Sequence, residues 1–326
     1  MKAVICTKYG PPEVLQIREV EKPVPKENEV LIRIKTTSLT TADIRIRGAN
    51  FPWLVWLPMR IIMGFGGPRK KILGVDFAGV VESIGEKVSL FKNGDPVFGS
   101  TYPVMGGHAE FICMPENEVI TLKPDSISYE TAAAIFFGAH TALHFLRKGK
   151  IQKGQSVLIY GASGSIGTYA VQLAKYFGAE VTAVCSGANE ELVKSLGADK
   201  VIDYTKEDFS KSGDLYDIIF DTVGESSFSA TLRSLRKKGY YLRAVHLELF
   251  KILRGLWTNL TSSKKVIGGE AAETLEALNF LKELVVTGDI KPVIDRVYKF
   301  EEIPDAHRYV DSGRKKGNVV ITIEHK

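Results

Sequence analysis

Residues 156–186 read SVLIYGASGSIGTYAVQLAKYFGAEVTAVCS, and no other stretch limits the possible folds as tightly. Residues 157–160 are a short apolar run of the kind a buried parallel strand shows, and they lead directly into Gly161, Gly164 and Gly167. Ile166, Ala170, Leu173, Ala174 and Phe177 then recur at helical spacing, Gly178 supplies a stop, and 181–185 reads as a second strand. The pattern predicts a βαβ unit. Glycines at the strand-to-helix turn carry no Cβ, so a pyrophosphate can approach the N–H groups at the positive end of the helix dipole. The expected ligand is a dinucleotide, held by Gly161, Ala162, Ser163, Gly164, Ser165, Ile166 and Gly167. In the G-x-G-x-x-G fingerprint only Gly164 and Gly167 occupy glycine positions, with Ala162 at the first. The strand before and the helix after supply the context the motif needs, and a glycine-rich turn in some other α/β protein is the competing reading.

The chain has 326 residues, 44% of them hydrophobic and 25% charged, which is ordinary globular composition and leaves room for two domains with separate cores. Cys6, Cys113 and Cys185 are few, odd in number and far apart, which argues against a disulfide framework or a cysteine-rich metal module and fits a reducing compartment. The start, MKAVICTKYG, lacks a long apolar segment and reads as a first strand, so a cytoplasmic location is expected. Net charge is +5, and the RKK clusters at 69–71, 236–238 and 314–316 read as solvated turns, so no nucleic acid partner is expected.

Residues 1 to about 122 are predicted to be β-rich, with strands at 3–6, 15–18, 29–36, 79–84 and 109–114. Helices follow at 129–136 and 141–147, then the βαβ unit. Strands at 201–204, 217–221, 240–245 and 265–267 alternate with helices such as 190–196 and 228–235, which implies a doubly wound parallel sheet. An amphipathic helix at 273–286 ends near Gly288, and the tail reads strand, helix, strand. The stretch 51–65, FPWLVWLPMRIIMGF, reads as an apolar loop region, too short and too broken by Pro52, Pro58 and Arg60 to span a membrane. Its expected role is a lid or wall, carrying Trp53 and Trp56, for a bulky apolar substrate. Subunit contact and association with a membrane surface are the alternatives.

The order of elements, with GVDFAGVVESIG at 74–85, GDPVFG at 94–99, GAHTAL at 138–143, the glycine turn and LGADKVIDY at 196–204, resembles the medium-chain dehydrogenase/reductase superfamily and, more narrowly, its zinc-independent quinone oxidoreductase branch. The resemblance runs over nearly the whole chain. It implies an α/β protein with a GroES-like catalytic domain (1–122 and 290–326), a Rossmann dinucleotide-binding domain (123–289), an active site in the cleft, and a homodimer formed through the edge strand near 265–267. Zinc-dependent alcohol dehydrogenases of the superfamily draw catalytic ligands from three places where this chain carries Thr40, Val75 and Phe137. None supplies a thiolate, imidazole or carboxylate, so no zinc is expected.

Without a Lewis acid the chemistry must suit hydrogen-bond polarisation, and conjugated carbonyls suit it because delocalisation already activates the electrophilic carbon. The expected activity is hydride transfer from NADPH to a quinone or an α,β-unsaturated carbonyl. An alcohol or aldehyde dehydrogenase, or an NADPH-binding sensor with little turnover, are the alternatives. The strand at 181–185 ends at Ser186 with no acid to chelate the ribose diol, which admits a 2′-phosphate, with Lys194 and Tyr204 in reach. Glu190 and Glu191 pull the other way, so NADH stays possible. The resemblance adds Thr141, Val223, Gly224 and Asn318 as cofactor contacts, against bland readings as a back-bonded helix residue, core and turn. It places Thr40, Thr41, Asp43 and Arg47 on the segment beside the substrate, where Thr40 or Thr41 is a candidate donor. The competing reading is that Asp43 and Arg47 form an i, i+4 ion pair. His108 is expected to be a satisfied structural histidine.

Overall fold

A computed structural model describes residues 1–49, 53–245 and 248–325. In chain order it begins with β1 (Lys2–Cys6), β2 (Leu15–Glu19), β3 (Glu29–Leu39), α1 (Thr41–Gly48), α2 (Trp53–Met63), β4 (Asp76–Ile84), β5 (Pro96–Ser100), β6 (Phe111–Pro115), β7 (Ile120–Leu122) and α3 (Tyr129–Lys148). Then follow β8 (Ser156–Tyr160), α4 (Ser165–Tyr176), β9 (Glu180–Cys185), α5 (Glu190–Ser195), β10 (Lys200–Asp203), β11 (Tyr216–Asp221), α6 (Phe228–Arg233), β12 (Leu235–Arg243), α7 (Leu249–Thr261) and β13 (Lys265–Gly268). The chain closes with α8 (Leu275–Thr287), β14 (Ile294–Lys299), α9 (Ile303–Asp311) and β15 (Asn318–Thr322).

Two compact units result. The first holds Met1–Phe137, Glu273–Val286 and Ile294–Lys326, and the second Gly138–Ala272 with Thr287–Val293. Residues 123–137 and 273–286 thus group with the first unit, whereas the sequence boundaries at 122/123 and 289/290 would leave them in the second.

The first unit is a β-rich, GroES-like domain built on a seven-strand sheet, in which β15 pairs antiparallel with β3 (Val319 opposite Leu39) and β3 with both β4 and β6. Its core gathers Val30, Ile32, Ile34, Phe77 and Val97 with Phe300, Ile303 and Ile321 from the tail. β5 and β7 were not among the expected strands; Gly94 and Asp95 read as punctuation just ahead of β5. They form nevertheless, since Pro96 is the first residue of β5, where a missing N–H is tolerated.

The second unit is a six-strand, all-parallel sheet of order β10-β9-β8-β11-β12-β13, the doubly wound arrangement whose strand order reverses beside β8. Alternating residues on one face, Leu158, Val184, Ile219 and Tyr241, form its core with Phe209 and Phe228. β10 and β13 are the edge strands on that path.

Three local expectations change. The helices at 129–136 and 141–147 are one continuous α3, because Gly138 lets the helix approach α4: a Cβ there would meet Ser165 Oγ at 2.7 Å. Residues 236–238 lie within β12 rather than in a turn, on an irregular stretch where the register passes from Tyr216/Leu235 to Ile218/Tyr240 and Lys238 has φ 65°. The apolar stretch at 51–65 contains helix α2 with Pro58 inside it, and Arg60 lies 4.1 Å from the Tyr9 ring centre and 5.0 Å from that of Trp56. Phe51 and Pro52 lie outside the described residues, and so does the Trp53 side chain, on which half of the lid expectation rests.

α7 turns its small residues inward, with Gly255 and Thr258 buried and Gly255 against Val266, while Phe250, Leu253, Trp257 and Leu260 are exposed. All three cysteines are free thiols, Cys6 and Cys185 buried and Cys113 half-buried, and burial pushes each up to about 11. Among the described residues no helix is long and apolar enough to cross a membrane.

Candidate active site

β8 delivers the chain to Gly161, which has φ +81° and no room for a side chain: a Cβ would stand 2.3 Å from Val223 Cγ2 and 2.7 Å from Thr222 Oγ1. The Gly161 and Ala162 amides both donate to the Val184 carbonyl at 3.0 Å, which pins the turn to β9. Gly167 lies against the same turn, since its Cβ would sit 2.1 Å from the Gly161 oxygen. Gly164 differs. It is the N-cap of α4, has φ −78°, supplies no side-chain acceptor, and its Cβ would meet nothing nearer than 3.5 Å. A helix start that is open in front and capped by no side chain of its own is a ready anion site. These residues fit a dinucleotide diphosphate.

The loop after β11 is held by a residue that the sequence reading passed over. Asp221, fully buried, accepts from the Val223 and Gly224 amides through Oδ1 (3.0 and 2.7 Å) and from the Ser226 amide and hydroxyl through Oδ2 (3.1 and 2.5 Å). Asp followed by T-V-G-E-S is a turn signature in which the side chain binds backbone two and three residues on, and that signal was available. Val223 is 45% exposed, so it is not core.

At the end of β9, Asn189 Nδ2 donates to Ser163 Oγ (3.0 Å) and Ser186 Oγ (3.2 Å), tying the glycine turn to the adjacent loop. A carboxylate does stand here, though not on β9. Asp203 ends β10 in register with Cys185, and its Oδ1 accepts from the Thr205 amide and hydroxyl at 3.0 and 2.8 Å. The Thr205 hydroxyl first, then the Thr205 and Gly187 amides, hold this carboxyl below the usual range. Lys194, the expected phosphate partner, lies on α5 and pairs with Glu190 at 2.7 Å. Tyr204 is exposed. A cavity of about 400 Å³ opens at these strand ends, lined by Tyr160, Tyr204, Lys206, Phe209, Lys211 and Ser226 among others. Thr141 lies half-buried in α3, in the second unit, and Asn318 lies buried as the first residue of β15, in the first; Asn318 is therefore a strand residue and not a turn residue.

In the first unit, Thr40 is the N-cap of α1 and forms a capping box with Asp43. Asp43 Oδ2 accepts the Thr40 amide and hydroxyl (2.8 and 2.7 Å), and its Oδ1 accepts the Gly74 amide at 2.8 Å. The buried Asp43 therefore fastens α1 to the start of β4. The expected Asp43–Arg47 pair does not form. Arg47, also buried, binds Asp311 at 2.7 Å, His307 Nδ1 at 3.1 Å and the Gly10 carbonyl at 3.1 Å, because the i+4 geometry loses to partners brought in by α9. Thr41 is exposed at the first position of α1.

Val75 is fully buried and Phe137 packs on the apolar core, so the three places where zinc enzymes of this superfamily carry ligands hold a hydroxyl already donated to Asp43 and two hydrocarbon side chains. That donor set does not fit a catalytic zinc. Between Val75 and Phe137 lies Asp76, 2% exposed, whose Oδ2 accepts from Ser38 Oγ (2.9 Å) and the Phe137 amide (3.3 Å), while Oδ1 has no partner among the described residues. Burial, then the charge of Glu273, raises its carboxyl well above the ordinary range. His108 is fully buried with Nε2 3.2 Å from the Ser38 carbonyl, and its Nδ1 has no partner among the described residues, so it is buried but only half satisfied.

Glycine turn, reversed strand order and β-rich companion unit together define a nucleotide-binding dehydrogenase or reductase. The chain matches the family models described as alcohol dehydrogenase GroES-like domain over 26–125 and zinc-binding dehydrogenase over 196–321. It is 33% identical to 2-methylene-furan-3-one reductase of Solanum lycopersicum, covering 98% of this chain and 79% of that protein. It is 34% identical to NAD(P)H oxidoreductase RTN4IP1, mitochondrial, of Mus musculus, covering 99% and 89%. Among solved structures, the quinone oxidoreductase from Coxiella burnetii superposes with a TM-score of 0.89 at 26% identity, covering 99% of both chains. The chain belongs to the medium-chain dehydrogenase/reductase superfamily, in its quinone oxidoreductase-like branch, and is an NAD(P)H-dependent oxidoreductase.

Proposed function

We propose that the protein is an NADPH-dependent, zinc-free reductase that passes hydride to a quinone or an α,β-unsaturated carbonyl, and that it works as a homodimer joined through β13. The observation that carries this reading is the donor set at Thr40, Val75 and Phe137, which offers a metal nothing and leaves polarisation to hydrogen bonds. The relatives' names support it, since one is a methylene-furanone reductase and another structure a quinone oxidoreductase. Bound NADPH would supply a hydride, which carries both electrons of the reduction. The chain's part is to hold the diphosphate at Gly164 to Gly167, to seat the adenosine end near Ser186, Tyr204, Val223 and Gly224, and to offer the substrate oxygen a donor. Thr40 gives its hydroxyl to Asp43, so Thr41 is the better-placed donor of the two. Thr141 and Asn318 are proposed as further cofactor contacts.

The test is NADPH oxidation, followed by the absorbance of the dihydronicotinamide, against quinones, enones, aldehydes and alcohols. Turnover of quinones or enones without added metal is expected. Turnover only of alcohols, or only with zinc, overturns the reading, and tight binding without turnover on the whole panel replaces it with a nucleotide sensor. An unpaired edge such as β13 invites a symmetric mate, and a monomer by sedimentation would remove the dimer.

A further inference from the structure

A helix that merely covers a sheet turns its large apolar side chains toward the strands, and α7 does the reverse. Gly255 and Thr258 are its buried residues, and a Cβ on Gly255 would meet Val266 Cγ1 of β13 at 3.1 Å. The large side chains stand outward: Phe250 is 81% exposed, Trp257 68% and Leu260 83%, with Leu253 and Leu256 beside them. Phe250, Leu253, Trp257 and Leu260 fall at i, i+3, i+7 and i+10, so they share one face of the helix over about 15 Å. The other exposed large hydrophobic residues described in this unit, Tyr176, Tyr204, Leu215 and Val223, lie on separate segments.

The charge around this face is one-sided. Residues 226–269 hold nine Lys and Arg against one acid, Glu248, which Lys251 already pairs at 2.7 Å, and the rest of the chain is net −3. Lys264 and Lys265 follow the end of α7, and the Lys238 amide lies 3.4 Å from Ser263 Oγ, which brings the basic run at 236–238 to the same end. Arg236 pairs with Asp217, but Lys237, Lys238 and Lys265 are exposed with no carboxylate partner among the described residues. An apolar stripe bordered by unpaired cations suits the boundary of an anionic bilayer, where acyl chains take the hydrocarbon and headgroups take the ammonium groups. A second copy suits it less, because a two-fold contact on this face sets the same basic surround against itself.

We propose that α7 is a docking helix for an anionic membrane surface, with Phe250, Leu253, Trp257 and Leu260 at the acyl boundary and Lys237, Lys238 and Lys265 among the headgroups. Its 13 residues lie on a bilayer and do not span one. The inference stands apart from the choice of hydride acceptor. For a quinone with a long apolar tail it brings the enzyme to the phase in which that substrate dissolves.

Co-sedimentation of the full chain with vesicles of phosphatidylcholine, alone or with about one-third phosphatidylserine, tests the assignment. Binding to the anionic vesicles and little to the neutral ones is expected, weakening as salt rises. Trp257→Ala combined with Leu260→Ala should lower the partition coefficient about tenfold or more, and Lys237→Glu combined with Lys238→Glu should remove the advantage of the anionic vesicles. Lys92→Glu, a charge reversal at an exposed position of the first unit, should change little. All of these side chains are on the surface, so wild-type melting temperature and NAD(P)H affinity are expected and show that each variant folds. A wild type that binds neither kind of vesicle, or double variants that bind as well as the wild type, overturns the proposal. A wild type that ignores vesicles, with a Trp257→Ala, Leu260→Ala variant that sediments as a monomer where the wild type is a dimer, overturns it too and gives this face to a second copy.

Discussion

Asp221 in the second unit and Asp76 in the first are both buried aspartates, and they do opposite things. Asp221 receives three backbone amides and the hydroxyls of Ser226 and Tyr241, so its carboxyl organises a loop at the mouth of a parallel sheet. Asp76 receives one hydroxyl and one distant amide, keeps an oxygen without a partner among the described residues, and feels the charge of Glu273, so burial pushes it toward the neutral acid. The difference is one of backbone donors. Where a turn aims its N–H groups at a carboxylate, the ion can be carried inside; where side chains must do it, the proton comes along.

The sharpest way to break this comparison is through the backbone itself. Gly167→Ala places a Cβ 2.1 Å from the Gly161 carbonyl oxygen, so the turn must open, and we expect loss of nucleotide binding with destabilisation of several kcal/mol by thermal melting. Gly164→Ala, where nothing lies within 3.5 Å, should fold normally. Next in size, Asp221→Asn exchanges an all-acceptor group for one that turns an NH₂ toward the loop amides. About 2–3 kcal/mol should be lost, together with nucleotide affinity, by denaturant titration in the two ligand states.

A third test uses pH. Burial, aided by the charges of His108 and Arg47, pushes His307 well below the ordinary imidazole range, so the unfolded chain binds a proton that the folded one refuses. This contribution to stability is present above the unfolded value near 6.5 and is lost as pH falls below it, by up to about 1.4 kcal/mol per pH unit. His307→Asn, which can still accept from Arg47, should flatten that acid slope in melting curves. A slope that persists would assign the loss elsewhere. The smallest effect is expected for Asp76→Asn in acid, below pH about 4, where the carboxyl is protonated in the folded and the unfolded chain alike and a neutral isostere should cost under about 1 kcal/mol. As pH rises through its raised folded value the wild type should lose stability and the variant should not. A loss at neutral pH as large as that of Asp221→Asn would erase the contrast between the two aspartates.

How much could be read from the chain divides along the same line. The βαβ unit, its glycines and the parallel alternation were legible because they are local: strand, turn and helix follow within thirty residues, and the pattern of side chains repeats the pattern of the backbone. In the candidate site the glycine turn was legible for the same reason, and Asp221 could have been found from its turn signature. Arg47 could not, because its partners lie 260 and 264 residues away and displaced the nearer Asp43. Asp203 was missed because only the register of β10 with β9, Asp203 beside Cys185, brings its carboxylate to that strand end. The apolar stretch with Pro58 was read as a loop because proline usually breaks a helix, and the structure carries it inside α2.

The three thiols bear on the durability of an enzyme of this kind. Enones and quinones are soft electrophiles that add to thiolates, and an ordinary cysteine exposes a few per cent of that anion at neutral pH. With each thiol pushed up to about 11, roughly one in ten thousand is ionised at pH 7. Thiols held this far from ionisation react slowly with soft electrophiles of any kind.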